Sequence, residues 1–351
     1  MISFECDYNN GAHPKVLEAL VRTNDEQTLT YGFDFYTERA KERIRQACQI
    51  PDTDVFLLTG GTQTNLTVID AMLRSYEAVI AAESGHISIH EAGAIEACGH
   101  KVITLPQQLG KISVEDVRNY MEWFEGDESR EHLAQPRMVY VSFPSELGTL
   151  YSRDELEQLY ATCKRFGLLL FVDGARMGYG LAASADVTLP WLCQHCDVLY
   201  IGGTKVGALC GEAVVFTKAS SSEEGMPRCF FTQAKRHGAI LAKGRLTGVQ
   251  FDALFEPDDN GEPLYFRISR HAIDMAHRMK QLFVERGYTF WLDSPTNQQF
   301  VVLDNAEVKR LEQLVQFTHW QPLDGDRMAC RFVTSWATTE ADLVQLRKLL
   351  M

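Results

Sequence analysis

A lysine confined between glycine turns is the first candidate for chemistry. Leu199-Tyr200-Ile201-Gly202-Gly203-Thr204-Lys205-Val206-Gly207-Ala208 leads from an apolar strand into Lys205. Burying an ammonium is costly, so a lysine in such a place is either paired or reactive. A desolvated amine of lowered pKa is what Schiff-base chemistry requires, although a solvated loop lysine would leave the same local pattern. Leu168-Leu169-Leu170-Phe171-Val172-Asp173-Gly174-Ala175-Arg176 sets Asp173 directly after a buried strand, at the carboxyl edge where open α/β sheets place ligands. Pyridoxal phosphate needs such a carboxylate against its ring nitrogen, to keep it protonated and able to absorb electrons. A helix N-cap aspartate is the plain alternative.

Two further segments fit the same cofactor. Leu57-Leu58-Thr59-Gly60-Gly61-Thr62-Gln63-Thr64-Asn65-Leu66 opens a helix running to about Arg74, and small residues at a helix start expose backbone amides to an anion. Gly61 and Thr62 would meet a phosphate there, with the Thr62 or Thr64 hydroxyl assisting, but a simple glycine turn reads alike. No Gly-Lys-Ser/Thr follows, so it is not a P-loop, nor is it Gly-x-Gly-x-x-Gly. Ser84-Gly85-His86-Ile87 offers an imidazole to stack on the pyridine ring and relay protons, with His90 as a competitor. Each segment is weak alone, and their order along the chain is the stronger signal. Cys193-Gln194-His195-Cys196 is a single Cys-x-x-Cys without a second pair and makes a poor zinc site, so no metal is expected.

These residues need a sheet to position them. Val79-Ile80-Ala81, Val102 to Leu105, Met138 to Val141, Leu168 to Val172, Val198 to Ile201 and Ala213 to Phe216 read as strands, several apolar on both faces. Amphipathic segments alternate with them. Ser113-Val114-Glu115-Asp116 opens one through Trp123, and Ser152-Arg153-Asp154-Glu155 opens another to Phe166 with Gly167 as a stop. This is the α/β class: a mostly parallel sheet flanked by helices. After about Gln250 the pattern changes to a long helix from Arg267 to Arg286, Gln299 to Leu303, a helix from Ala306 to Phe317, Ala329 to Val333 and a last helix from Thr339. We expect a large domain over 1–250 and a smaller C-terminal α/β domain over 251–351.

Bulk properties narrow the partners. A formal charge of −13 argues against nucleic acid, where a basic surplus is the rule. The N-terminus has no basic region followed by an apolar run, and the most apolar stretch, Leu168 to Val172, is too short to span a bilayer, so neither secretion nor membrane insertion is expected. Nine cysteines, an odd number scattered through 351 residues, suit a reducing cytoplasm better than a disulfide scaffold.

The sequence resembles the threonine aldolase and β-eliminating lyase family of fold type I pyridoxal-phosphate enzymes, most of all its low-specificity L-threonine aldolases. The resemblance spans nearly the whole chain. It is carried by Phe4-Glu5-Cys6-Asp7-Tyr8, Gly11-Ala12-His13-Pro14, Tyr31-Gly32-Phe33-Asp34, Gly61-Thr62-Gln63-Thr64-Asn65, Gly85-His86-Ile87 with Glu91-Ala92-Gly93-Ala94, Asp173-Gly174-Ala175-Arg176, Gly202-Gly203-Thr204-Lys205 and Arg331-Phe332-Val333-Thr334-Ser335-Trp336. It implies that Lys205 binds pyridoxal 5'-phosphate as a Schiff base, Asp173 faces the ring nitrogen, His86 stacks on the ring, and Gly61 and Thr62 hold the phosphate. Arg176 and Arg331 would grip the substrate carboxylate, as guanidinium forks suit carboxylates. His86 is the first candidate to take the β-hydroxyl proton. The activity implied is retro-aldol cleavage of L-threonine or L-allo-threonine to glycine and an aldehyde. Another β-lyase activity on an amino acid, or a non-catalytic homologue, are the alternatives. A homodimer or homotetramer is implied, with Lys235 and Arg236 as candidates to reach a neighbour's phosphate. Two positions depart from the family. Cys6 stands where members often have a substrate-binding serine, and Phe143-Pro144-Ser145-Glu146-Leu147-Gly148-Thr149 lacks a histidine that some members carry there.

Overall fold

Strands that are apolar on both faces must be covered on both faces, and this dictates the architecture. The computed structural model describes residues 2–219, 221–222 and 224–350. In chain order the first strands are β1 (Ile2–Ser3), β2 (Asp54–Leu58), β3 (Glu77–Ala82), β4 (Val102–Leu105), β5 (Gln135–Ser142), β6 (Leu169–Asp173), β7 (Val198–Gly202) and β8 (Glu212–Phe216). Seven of them form one sheet in the order β2-β8-β7-β6-β5-β3-β4, in which β8 alone runs against the others. Every residue of β3, β6, β7 and β8 is buried. Separate apolar clusters lie on the two faces of this sheet. The first three helices are α1 (Pro14–Arg22), α2 (Phe35–Cys48) and α3 (Gly61–Met72). The expected Ser152 start is a full capping box, with the Ser152 hydroxyl accepting from the Glu155 N–H and the Glu155 carboxylate accepting from the Ser152 N–H.

The C-terminal layer is a four-stranded antiparallel sheet in the order β12-β13-β10-β9, built from β9 (Thr289–Leu292), β10 (Gln298–Asp304), β12 (Thr318–Pro322) and β13 (Arg327–Val333). β11 (Val315–Gln316) leaves this sheet to pair in parallel with β1. Ile2 and Phe4 are thereby buried in the C-terminal apolar cluster with Met279, Val301 and Phe332. The helix expected over 306–317 is halved: it spans Asn305–Leu311, and Val315, 1% exposed, is spent on pairing with β1. Tertiary pairing outweighs local helical pattern here. β2, β9 and β12 were not anticipated, and the long helix spans Leu264–Glu285. The division expected after residue 250 falls inside the helix Arg245–Leu254. No helix among the described residues is long and apolar enough to cross a membrane.

Candidate active site

Asp173 ends β6, and Lys205 lies three residues beyond β7, the next strand in the sheet. Two glycines let the loops after these strands meet. A Cβ on Gly174 would collide with the Tyr200 carbonyl, and one on Gly202 with the Ala175 carbonyl. The Gly202 N–H instead donates to the Gly174 carbonyl at 2.9 Å. Close backbone approach is what glycine permits here. A cavity of about 340 Å³ opens at this junction, and its walls include Lys205, Asp173, His86, Arg176, Gly61 and Thr62. Six of the eight anticipated site residues therefore share one cavity. Cys6 and Arg331 do not line it.

Asp173 is 4% exposed and held by a ring of donors. Its Oδ1 accepts from the Ala175 N–H at 2.9 Å, and its Oδ2 accepts from Asn65 Nδ2 at 3.0 Å and from the Tyr140 hydroxyl. Burial disfavours its charge, but His86 and the Tyr140 and Tyr200 hydroxyls outweigh burial and hold the carboxyl below its usual range. An ionised acid therefore stands in the cavity wall. Asn65 also donates to Glu91 Oε1 at 2.7 Å, and the same oxygen meets His86 Nδ1 at 2.6 Å. Burial works against an imidazolium at His86, yet the Glu91 hydrogen bond and the Asp173 charge raise its pKa. Asp173, Asn65, Glu91 and His86 are thus one continuous polar chain.

Burial and the Arg176 charge push the Lys205 amine below the ordinary lysine range, against the pull of Asp7, Asp173 and Glu212. Its Nζ lies 5.6 Å from the centroid of the Tyr8 ring. Glu212 opens β8 directly opposite Gly202 and is 3% exposed. It accepts from the Gly203 N–H at 3.2 Å and the Thr204 hydroxyl at 2.9 Å, tying down the loop that carries Lys205. Burial pushes its carboxyl up to about 8.

Arg176 is already engaged. Its Nε and Nη2 donate to the Asp7 carboxylate at 2.7 and 3.0 Å, and Asn297 Nδ2 adds a third bond to Asp7 at 2.9 Å. The expected carboxylate grip therefore faces a resident carboxylate, supplied by the N-terminal arm. Breaking a buried ion pair leaves an uncompensated charge and costs about 3–5 kcal/mol. Asp7→Ala is expected to lower stability by that amount, read as a lower urea midpoint; an unchanged midpoint would refute the pairing.

Arg331, on β13, donates to Gln298 Oε1 at 3.1 Å and Thr318 Oγ1 at 3.3 Å, and lies 5.1 Å from the Trp320 ring centroid. It has no carboxylate partner among the described residues. Burial and the Arg176 charge lower its pKa. Cys6 is part-buried, and burial raises its thiol, which therefore stays protonated. Lys235 stands 3.9 Å from the Tyr31 ring centroid, whereas Arg236 is paired with Asp70. His195 turns Nδ1 to the Trp191 carbonyl at 2.8 Å and stacks on its indole, while Cys193 and Cys196 are buried.

The helix start behaves as an open anion cradle. Gly60 caps α3 without any side-chain hydrogen bond, and nothing lies within 4 Å of where its Cβ would be. With an amine, an ionised acid and free amides around one cavity, the residues fit pyridoxal phosphate. Sequence reasoning missed Asp7, Tyr8, Asn65, Glu91, Tyr140, Glu146, Tyr200 and Glu212. Asn65 was the most accessible of these, one turn into the glycine-led helix on its buried side.

A sheet whose parallel strands carry the acid and the lysine on neighbouring edges places the molecule in the fold type I class of pyridoxal-phosphate enzymes. Aspartate aminotransferase of Thermus thermophilus shares this fold at 14% identity, with a TM-score of 0.71 over 99% of this chain and 90% of that one. The family model described as beta-eliminating lyase matches residues 9–302, and the chain belongs to that family. A threonine aldolase of Leishmania major is 38% identical, with a TM-score of 0.93 over 100% of this chain and 98% of that one. The low specificity L-threonine aldolase of Pseudomonas aeruginosa is 29% identical over 351 residues, covering 99% of this chain and 95% of the relative.

Proposed function

We propose that the protein cleaves L-threonine and L-allo-threonine to glycine and acetaldehyde, using Lys205 as the cofactor-binding amine. The observation that carries this reading is the joint presence of Lys205, ionised Asp173, His86 and the uncapped Gly60-Gly61-Thr62 turn around one cavity. Likeness to the Leishmania major and Pseudomonas aeruginosa threonine aldolases supports the substrate. Pyridoxal phosphate, when bound, supplies an electron sink conjugated with the substrate's Cα.

The chain's own residues do the rest. Asp173, kept ionised by donors that include the Tyr140 hydroxyl and the Ala175 N–H, would hold a proton on the ring nitrogen. Gly61 and Thr62 would present backbone amides, and a threonine hydroxyl, to the phosphate. His86, fixed in orientation by Glu91, would cover the ring. Lys205 would hold the cofactor, and burial and the Arg176 charge, which lower its pKa, favour the neutral amine that this role needs. Arg331, half-buried on β13 beyond the cavity lining and without a carboxylate partner among the described residues, would orient the substrate carboxylate. Arg176 supports it from the cavity wall while paired with Asp7.

A panel of threonine, allo-threonine, phenylserine and a cysteine or tryptophan donor, scored for aldehyde or pyruvate, tests the reading. Aldehyde from the β-hydroxy amino acids is expected, and pyruvate from the other donors without any aldehyde would overturn it. Arg331→Gln is expected to raise KM for threonine about 10- to 100-fold, the worth of one charged hydrogen-bonding group. Steady-state kinetics check this. The assembly we propose is at least a dimer, in a cytoplasmic setting.

A further inference from the structure

We propose that Glu146 is the catalytic base that removes the β-hydroxyl proton of the substrate. This rests on the aldol-cleavage reading above and names the residue that performs its proton step. Among the described residues, four carboxylates or imidazoles line the cavity: His86, Glu146, Asp173 and Glu212. Asp173 uses Oδ1 on Ala175 and Oδ2 on Asn65 and Tyr140. Glu212 uses one oxygen on Thr204 and the other on Gly203. His86 is bound through Nδ1 to the Glu91 carboxylate, which favours the cationic ring and so disfavours it as a proton acceptor.

Glu146 differs from all three. Its Oε1 accepts from the Ser142 hydroxyl at 2.6 Å and the His86 N–H at 2.9 Å. Its Oε2 forms no hydrogen bond with a described residue, and the Glu146 side chain lines the cavity. One oxygen is anchored and the other is free to accept. In the step, the β-hydroxyl proton passes to Oε2 and the oxygen forms the aldehyde double bond. The Cα–Cβ bond breaks, and its electron pair goes to the electron sink named above.

The groups facing Glu146 are Asp173 at the end of β6, His86 after β3, Tyr140 on β5 and the buried Tyr151. Burial raises its pKa above the ordinary glutamate range, Asp173 adds to this, and Ser142 and His86 oppose it. Such a base is stronger than a surface carboxylate, and efficiency is greatest when the pKa lies near the working pH. The base acts ionised, so cleavage should rise with pH through the Glu146 pKa. Ser142→Ala, which deletes a donor to the ionised form, should move that limb to higher pH.

Glu146→Gln is the decisive variant, because its carbonyl oxygen still accepts from Ser142 and His86. In the holoenzyme, kcat/KM for threonine is expected to fall on the order of 10²–10⁴-fold with loss of the acid limb. Exchange of the glycine α-hydrogen with solvent, which involves no β-hydroxyl, should stay within about threefold of wild type. An infrared titration of substrate-free holoenzyme should show a carboxylic-acid band, titrating above the ordinary range, that this variant lacks. Retained threonine cleavage, equal loss of glycine exchange, or an unchanged infrared titration would each overturn the assignment. A wild-type protein that exchanges glycine yet yields no aldehyde from any β-hydroxy amino acid would overturn the aldol reading itself, and this assignment with it.

Discussion

Lys205→Ala, supplied with pyridoxal phosphate, is expected to lack the visible absorbance of the lysine-bound cofactor and to cleave threonine at least about 10³-fold more slowly. Lys205 is the one amine lining the cavity among the described residues, and its pKa is lowered by burial and by Arg176. Alanine leaves the neighbouring Tyr8 ring and the Glu212 anchor of the loop in place, so loss of the signal would report the amine itself. Borohydride treatment of the wild-type holoenzyme, followed by peptide mapping, should give one reduced adduct, at Lys205. Full turnover by the alanine variant, or an adduct on another lysine, would remove the central residue of the mechanism.

Asp173→Asn is expected to retain cofactor while slowing cleavage on the order of 10²–10³-fold, the scale found when one preorganised electrostatic partner of a transition state is removed. An amide is nearly isosteric but carries no charge to keep the facing ring nitrogen protonated. It also presents an N–H where Tyr140, Asn65 or Ala175 now donates, a mismatch costing about 1–3 kcal/mol of stability. Spectral titration of cofactor binding separates the two effects. A variant that cleaves at the wild-type rate would show that the buried acid has only a structural role.

The parts of this site that could be read from sequence are those carried by strand ends. Asp173 and Lys205 stand just past uninterrupted apolar runs, and such runs stop at the edge of a sheet where ligands bind. Residues 61 and 62 are legible for a similar reason, since a helix led by glycines leaves its amides uncovered. The pairing of Asp7 with Arg176 is different: it joins the first residues of the chain to the loop after β6, and no local pattern encodes that distance. Glu212 looks like any polar residue opening a strand until β7 and β8 pair and enclose it. Glu146 sits in a stretch noted for the histidine it lacks, yet its orientation depends on Ser142 and the His86 backbone meeting it in space. Arg331 was expected at the substrate, and it stands on the adjoining sheet, outside the cavity lining.

The pairing of β1 with β11 also orders events during synthesis. Ile2 and Ser3 are made long before β11 and have no strand to join until Val315 and Gln316 follow. At about 5–20 residues per second, that wait is roughly 15–60 s. Through that interval β1 lacks its partner strand, so a nascent chain can complete the sheet around Lys205 before the arm carrying Asp7 and Tyr8 is fully seated.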